Sequence, residues 1–256
     1  MGSITLTPDT GVVVTGGGSG IGRATCLALA EAGRPVAPWD LDAAAAAAVA
    51  DEASSRFGVP AVGIGIDVRD DASFGDAIAR SRDAMGNIGG LVHGAGIPGP
   101  SPVDELDAAV WDAVLGIHLR AAALLIRDLS ADLVANPGSA VVLIASIEAI
   151  VAHEAIPAYC AAKSGMLGLA RSTAARLGRK GVRANCICPG FIMTPMFAPT
   201  VTAPEARTAF ENRIPLGRLG DPTEIANMAR FLLSDQAAYV TGAELVVDGG
   251  VTRTTF

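Results

Sequence analysis

Short apolar runs alternate with longer segments of helical period from one end of this 256-residue chain to the other. The runs fall at residues 11–15, 35–39, 61–66, 90–93, 140–145, 182–188 and 244–247. They are rich in Val and Ile and are bounded by Gly, Pro, Asp or Asn, the pattern of strands buried on both faces. Between them, apolar positions recur with a 3.6-residue period and predict helices over residues 20–32, 41–57, 72–85, 103–135, 158–179 and 222–234. So regular an alternation implies one parallel sheet with helices on both faces, an α/β fold in a single domain over residues 1–256. The alanine run at 43–48 lies where a helix is due and suits it, because alanine is the best helix former. Residues 191–219 fit the alternation poorly: they hold four prolines and one short amphipathic piece at 204–214. An irregular segment of that length beside a strand end reads as a lid over a site.

Composition narrows the function classes. The formal net charge is −7, and no cluster of Lys or Arg would make a phosphate-binding patch, so nucleic acid is not expected as a partner. The densest basic stretch, residues 171–183, has helical spacing and reads as a solvated face. The first 11 residues have neither a basic nor an apolar leader region, so no signal peptide is expected. No uninterrupted apolar run approaches the roughly 18 residues of a membrane span, and no membrane association is expected. Only 4% of residues are aromatic, so the core must be built from Ala, Val, Leu and Ile. Cys26, Cys160, Cys186 and Cys188 read as reduced thiols of a cytoplasmic protein. Cys186 and Cys188 share one strand face but lack partner ligands, so no metal site is expected.

Residues 12–22 read Val-Val-Val-Thr-Gly-Gly-Gly-Ser-Gly-Ile-Gly, following the first strand and opening the first helix. Glycines at 16, 20 and 22 permit a sharp turn, a close approach to a pyrophosphate and tight helix–sheet packing. The free N–H groups of the turn, from Ser19 to Ile21, then face the phosphates. The second strand ends near Asp40, eighteen residues after Gly22, close to the position of an acid that binds the adenosine ribose. A carboxylate there accepts from both ribose hydroxyls and repels a 2′-phosphate. Leu41 follows it rather than Arg or Lys, so NAD (NADH) is the expected cofactor. Asp40 alternatively caps the second helix, a role that Asp42 also suits.

Tyr159 and Lys163, four residues apart near the start of a helix, share one face. Ser146 ends the fifth strand, at the edge where such sheets bind ligands. Hydride transfer at a carbonyl carbon needs a proton moved on or off the oxygen. A nearby Lys⁺ is expected to lower the phenol's pKa and make Tyr159 a usable acid or base, with Ser146 hydrogen-bonded to the substrate oxygen.

These residues carry a resemblance to the short-chain dehydrogenase/reductase family. The matching pieces run in family order: Thr15-Gly-Gly-Gly-Ser-Gly-Ile-Gly22, Asp67 after the third strand, Gly94-Ala95-Gly96 after the fourth, and Ser146 with Tyr159-x-x-x-Lys163. Further on come Pro189-Gly190, Thr194, Thr241-Gly242 and Val247-Asp-Gly-Gly250. The resemblance implies a single-domain Rossmann fold, a doubly wound seven-stranded parallel sheet, and a homotetramer. It also implies that Asp67 and Val68 contact the adenine and that Gly94, Ala95, Pro189 and Gly190 frame the cofactor. Lys163 would bind the nicotinamide ribose, and Ile192 and Thr194 would meet the carboxamide. Two positions depart from the family. His93-Gly94-Ala95-Gly96 stands where Asn-Asn-Ala-Gly is usual, and His118 stands where the family places an asparagine that holds a relay water. His118 either holds a water and titrates near neutral pH or fills the helix interior.

The expected reaction interconverts a secondary alcohol and a ketone. Substrate walls are expected from residues 97–100, 147–153 and 193–210, which bring Ile97, Ile147, Ile150, Met193, Met196 and Phe197, with Glu148 and His153 as the polar groups. A sugar-nucleotide epimerase needs a further C-terminal domain, and an enoyl reductase of this fold spaces its Tyr and Lys more widely. A dinucleotide-sensing regulator with little turnover is the alternative from another class.

Overall fold

The computed structural model describes residues 8–254; most of the segment expected to lack a leader, residues 1–7, lies outside them. One sheet holds seven parallel strands: β1 (Gly11–Thr15), β2 (Val36–Asp40), β3 (Ile64–Gly65), β4 (Ile88–His93), β5 (Ala140–Ile144), β6 (Arg183–Pro189) and β7 (Glu244–Val247). Their order is β3-β2-β1-β4-β5-β6-β7. The chain grows outward from β1 through β2 and β3, then returns to β4 on the other side. That reversal opens a crevice at the carboxyl ends of β1 and β4, where open α/β sheets bind ligands.

The strands are continuously apolar because both faces are covered. Along β1, Val12 and Val14 join one core and Val13 joins the other, all three without solvent contact. Helices α1 (Gly20–Glu31), α2 (Ala43–Phe57) and α8 (Pro222–Leu232) close the first core. Helices α3 (Phe74–Met85), α5 (Ala121–Ala135) and α6 (Pro157–Leu177) close the second. Leu125, Leu129 and Leu133 of α5 are fully buried there, each contributing about 1.5–3 kcal/mol by burial.

Element boundaries shift from the sequence expectation where caps intervene. α2 begins at Ala43 because the Asp42 carboxylate accepts from the Ala44 and Ala45 N–H groups, both at 3.0 Å. β3 shrinks to two residues, with a separate bridge between Ala61 and Val36. The helix expected over 103–135 is a short turn at Val103–Glu105, α4 (Ala108–Leu115), a π-helical turn at Gly116–Arg120, and α5. Its continuous stretch Ala108–Ala135 is long and apolar enough by composition to cross a membrane, although Asp112, Arg120, Arg127, Asp128 and Asp132 interrupt its apolar run. The inner face of that stretch is spent on the core just described. The basic stretch is also corrected at its end: Arg183 is buried and donates to the Leu232 and Ser234 carbonyls at 2.6 and 3.0 Å, so it caps the carboxyl end of α8.

The segment after β6 holds α7 (Pro204–Glu211) and its own small core. Phe191, Phe197 and Phe210 pack ring against ring, with centroids 4.9 to 5.9 Å apart. Val201, Ile214 and Leu219 complete it. The segment is therefore a folded flap rather than a loose loop.

Candidate active site

The turn after β1 is shaped by two glycines. Gly16 takes φ +67°, a left-handed conformation that side chains disfavour. A Cβ on Gly22 would lie 2.0 Å from the Gly16 carbonyl oxygen, so only glycine lets α1 pack this closely on the turn. Ser19 stands at the N-cap of α1, but its side chain makes no capping hydrogen bond, and Gly20 and Ile21 follow as the first helical residues. The first-turn N–H groups thus remain free for an anionic ligand. Thr194, from the flap, faces the turn across a slot: a Cβ on Gly20 would lie 3.4 Å from its side chain.

Asp40 ends β2 beside this slot. Its Oδ2 accepts from Gly18 N–H at 2.9 Å and its Oδ1 from Asp42 N–H at 3.0 Å. Because Asp42 caps α2, Asp40 is left aimed at the glycine turn. Leu41 next to it is 75% exposed, an apolar lip at the adenosine end. The turn, the free N–H groups and this carboxylate together fit a dinucleotide. Asp67 is less free than expected, because the Arg69 guanidinium grips both its oxygens and holds its carboxyl below the usual range. Val68 beside it is buried. Gly94 and Ala95 donate to the Thr15 hydroxyl at 3.2 and 3.3 Å and form the slot's floor. Pro189 ends β6, and Gly190 N–H donates to the Val247 carbonyl at 3.0 Å. Ile192, buried, bridges to Gly220.

Ser146, Tyr159 and Lys163 converge at the carboxyl end of β5. Ser146 follows the strand in extended conformation, and its hydroxyl oxygen accepts from Glu148 N–H at 3.1 Å. Pro157 starts α6, setting Tyr159 and Lys163 on the helix face toward the sheet. Lys163 is buried, its Nζ donating to the Ile144 carbonyl at 2.6 Å and lying 5.3 Å from the Tyr159 ring centre.

The electrostatics correct one expectation. Burial pushes the Tyr159 phenol up to about 12, and hydrogen bonding to Ser146, rather than the charge of Lys163, opposes it. The same burial pulls Lys163 down to about 7. Burial disfavours the charged form of each group, the phenolate and the ammonium alike.

His118 sits in the π-helical turn, buried, with its ring edge-on to Tyr159 at 5.2 Å. Gly96 makes room for it: a Cβ there would lie 2.2 Å from the imidazole. Nε2 accepts from Ile97 N–H at 3.0 Å in one tautomer and donates to the Ile97 carbonyl at 2.9 Å in the other. Nδ1 is buried with no partner among the described residues. Burial and the charge of Lys163 hold His118 well below the usual imidazole value, so the expectation that it titrates near neutral pH is corrected. His93 is equally internal. Its Nδ1 accepts from the Thr15 hydroxyl at 2.8 Å when Nε2–H donates to the Ile117 carbonyl at 3.0 Å, and burial lowers its pKa to about 4.

Both histidines fold neutral, which fixes the sign of their pH effect. The unfolded chain binds their protons at about pH 6.5 and the folded chain only at lower pH, so the stability they contribute is present above 6.5 and lost as pH falls. Each is expected to remove about 1.4 kcal/mol per pH unit below that value. Urea titrations between pH 7 and 5 should show a shallower acid slope for His93→Asn/His118→Asn than for the parent. Equal slopes would contradict these protonation states.

The expected substrate wall is only partly present. Ile97 and Glu148 are half-buried at the site, and Ile147 is buried at 3% exposure. Phe197 and Met193 pack into the flap's own core, while Met196, Ile150 and His153 are exposed. Arg213, which sequence patterns did not single out, lies over the Phe191 and Phe210 rings at 5.0 and 5.7 Å. The Ile144 carbonyl that holds Lys163 was also not foreseeable, because a backbone acceptor leaves no trace in residue identity. All four cysteines are unpaired, and no metal-ligating cluster occurs among the described residues.

A sequence model of the family described as enoyl-(acyl carrier protein) reductase matches residues 16–252. The chain is 37% identical over 245 residues to 2-(S)-hydroxypropyl-CoM dehydrogenase 3 of Xanthobacter autotrophicus, covering 94% of this chain and 96% of that one. This chain belongs to the short-chain dehydrogenase/reductase family. A second member, D-threitol dehydrogenase of Mycolicibacterium smegmatis, is 38% identical over 240 residues, covering 94% and 92% of the two chains. The crystal structure of a dehydrogenase/reductase from Sinorhizobium meliloti superposes with a TM-score of 0.90 at 35% identity, covering 98% and 97%. As a short-chain dehydrogenase/reductase, the protein is an oxidoreductase of small molecules that works with a nicotinamide dinucleotide.

Proposed function

We propose that the protein is an NAD(H)-dependent oxidoreductase that interconverts a secondary alcohol and a ketone. The convergence of Ser146, Tyr159 and Lys163 beside the glycine turn is the observation that carries this reading. Ser146 holds the substrate oxygen, and Tyr159 gives that oxygen a proton in reduction or takes it in oxidation. The bound nicotinamide supplies or accepts the hydride. Lys163, fixed by the Ile144 carbonyl, is placed to bind the nicotinamide ribose. The four-residue spacing of Tyr159 and Lys163 favours alcohol chemistry over enoyl reduction, whatever the description of the matching family.

His118 favours a second reading. Its unpartnered Nδ1 replaces the asparagine of the relay, and a sensor that binds dinucleotide with little turnover tolerates such a change. In the enzyme reading, that nitrogen holds the relay water. Turnover of any alcohol or ketone decides between them.

The preference for NAD rests on Asp40. A carboxylate anchored by Gly18 N–H and followed by exposed Leu41 welcomes ribose hydroxyls and repels a 2′-phosphate. Fluorescence titration is expected to show NADH binding at least about tenfold more tightly than NADPH, the scale of one lost charged hydrogen bond. Asp40→Ala with Leu41→Arg should reverse the order, and tighter NADPH binding by the parent chain would overturn the assignment. We also infer a cytoplasmic protein that assembles, as the family resemblance implies, as a homotetramer.

A further inference from the structure

Glu148 is the polar group near the reacting centre that this mechanism leaves unused. It lies two residues past Ser146 on a short turn, and its backbone N–H is bonded to the Ser146 hydroxyl. This bond ties the Glu148 backbone to the Ser146 side chain at the end of β5. Oε2 of Glu148 is buried and has no hydrogen-bond partner among the described residues. Burial holds the carboxyl above its usual range, against the pull of His153 and Arg213, and the carboxyl in turn presses the Tyr159 phenol upward. It thus stands within electrostatic reach of the acid/base on one side and of the flap on the other.

An unpaired buried carboxyl oxygen carries a desolvation cost that an apolar residue would avoid. The residue as a whole is only half-buried, so its carboxylate is not sealed off from solvent. The neighbouring polar groups are less suited to a hydroxyl. His153 is exposed and its Nδ1 already accepts from Ala155 N–H at 3.2 Å, and the Arg213 guanidinium lies over two phenyl rings.

We propose that Glu148 determines specificity by accepting a hydrogen bond from a second hydroxyl on the carbon next to the reacting one, so that the substrate is a vicinal diol or its α-hydroxy ketone. This rests on the roles given above to Ser146, Tyr159 and Lys163. In oxidation, the C–H bond of one carbinol breaks and its hydrogen leaves with both electrons as hydride to the nicotinamide. The O–H proton passes to the phenolate form of Tyr159, the carbonyl forms, and the neighbouring hydroxyl stays unchanged on Glu148.

The test compares kcat/KM for acetoin against butanone, and for butane-2,3-diol against butan-2-ol, in the parent protein, Glu148→Leu and Glu148→Gln. The parent should favour the hydroxylated member of each pair by about tenfold or more, the discrimination typical of a site built for a substrate hydroxyl. Glu148→Leu should bring that ratio close to one, while Glu148→Gln, whose amide oxygen still accepts, should retain part of it. A merely structural Glu148 would lower both members together and leave the ratio intact, which overturns the inference. A parent ratio near one, with all four probes turned over, overturns it alone. No turnover of any probe by protein that binds NADH overturns both the inference and the alcohol–ketone reading beneath it.

Discussion

Tyr159→Phe is expected to lower turnover by about 10²- to 10⁴-fold while leaving NADH binding within a few-fold of the parent. The substitution removes one oxygen and keeps the ring that packs beside Lys163 and against the His118 edge. The cofactor slot is framed by Gly16, Asp40 and Thr194, none of which needs the phenol oxygen. Binding and chemistry should therefore separate cleanly. Steady-state rates paired with a fluorescence titration of the same preparation check this. A variant that keeps most of its rate would remove Tyr159 from the reaction, and one that loses NADH binding in parallel would show that the hydroxyl supports the slot instead.

The second large effect belongs to the glycine turn. Gly22→Ala places a methyl carbon 2.0 Å from the Gly16 carbonyl oxygen, and neither backbone can yield without opening the turn. A cost of about 3 kcal/mol or more in stability is expected, with NADH binding lost at concentrations that saturate the parent. Gly75→Ala supplies the contrast. That glycine is exposed on α3 with no atom within 4 Å of an added Cβ, so alanine should be neutral or stabilising by up to about 1 kcal/mol. Thermal unfolding of both variants, with and without NADH, distinguishes the outcomes. A Gly22→Ala protein that melts and binds like the parent would mean that the turn is looser than its packing implies.

The parts of the fold legible in the sequence are those fixed by local pattern. Buried parallel strands must be apolar on both faces, so Val12 to Val14 and residues 140–144 announce themselves. The edge strand β3 is shorter than the apolar run at 61–66 suggests, because an edge strand has one neighbour to pair with. The break at Gly116–Arg120 was invisible for a different reason. It accompanies the fit of the His118 imidazole against Gly96 and the engagement of the Ile117 carbonyl by His93, all long-range contacts. In the site, side-chain identities were readable from spacing, as with Asp40, Ser146, Tyr159 and Lys163. Their electrostatics were not. Burial determines that Tyr159 is pushed up and Lys163 down, and burial depends on the whole flap and sheet edge. Phe197 is expected in the substrate wall from its place in the chain, whereas it packs into the flap's own core.

The most direct test of the central assignment follows nicotinamide absorbance while purified protein is offered NADH with ketones and hydroxy ketones, and NAD with the matching alcohols and diols. The account predicts cofactor-dependent absorbance changes in both directions on at least one pair, abolished by Tyr159→Phe. Complete silence across the series, with NADH bound, would contradict it and leave a dinucleotide sensor as the reading of this fold.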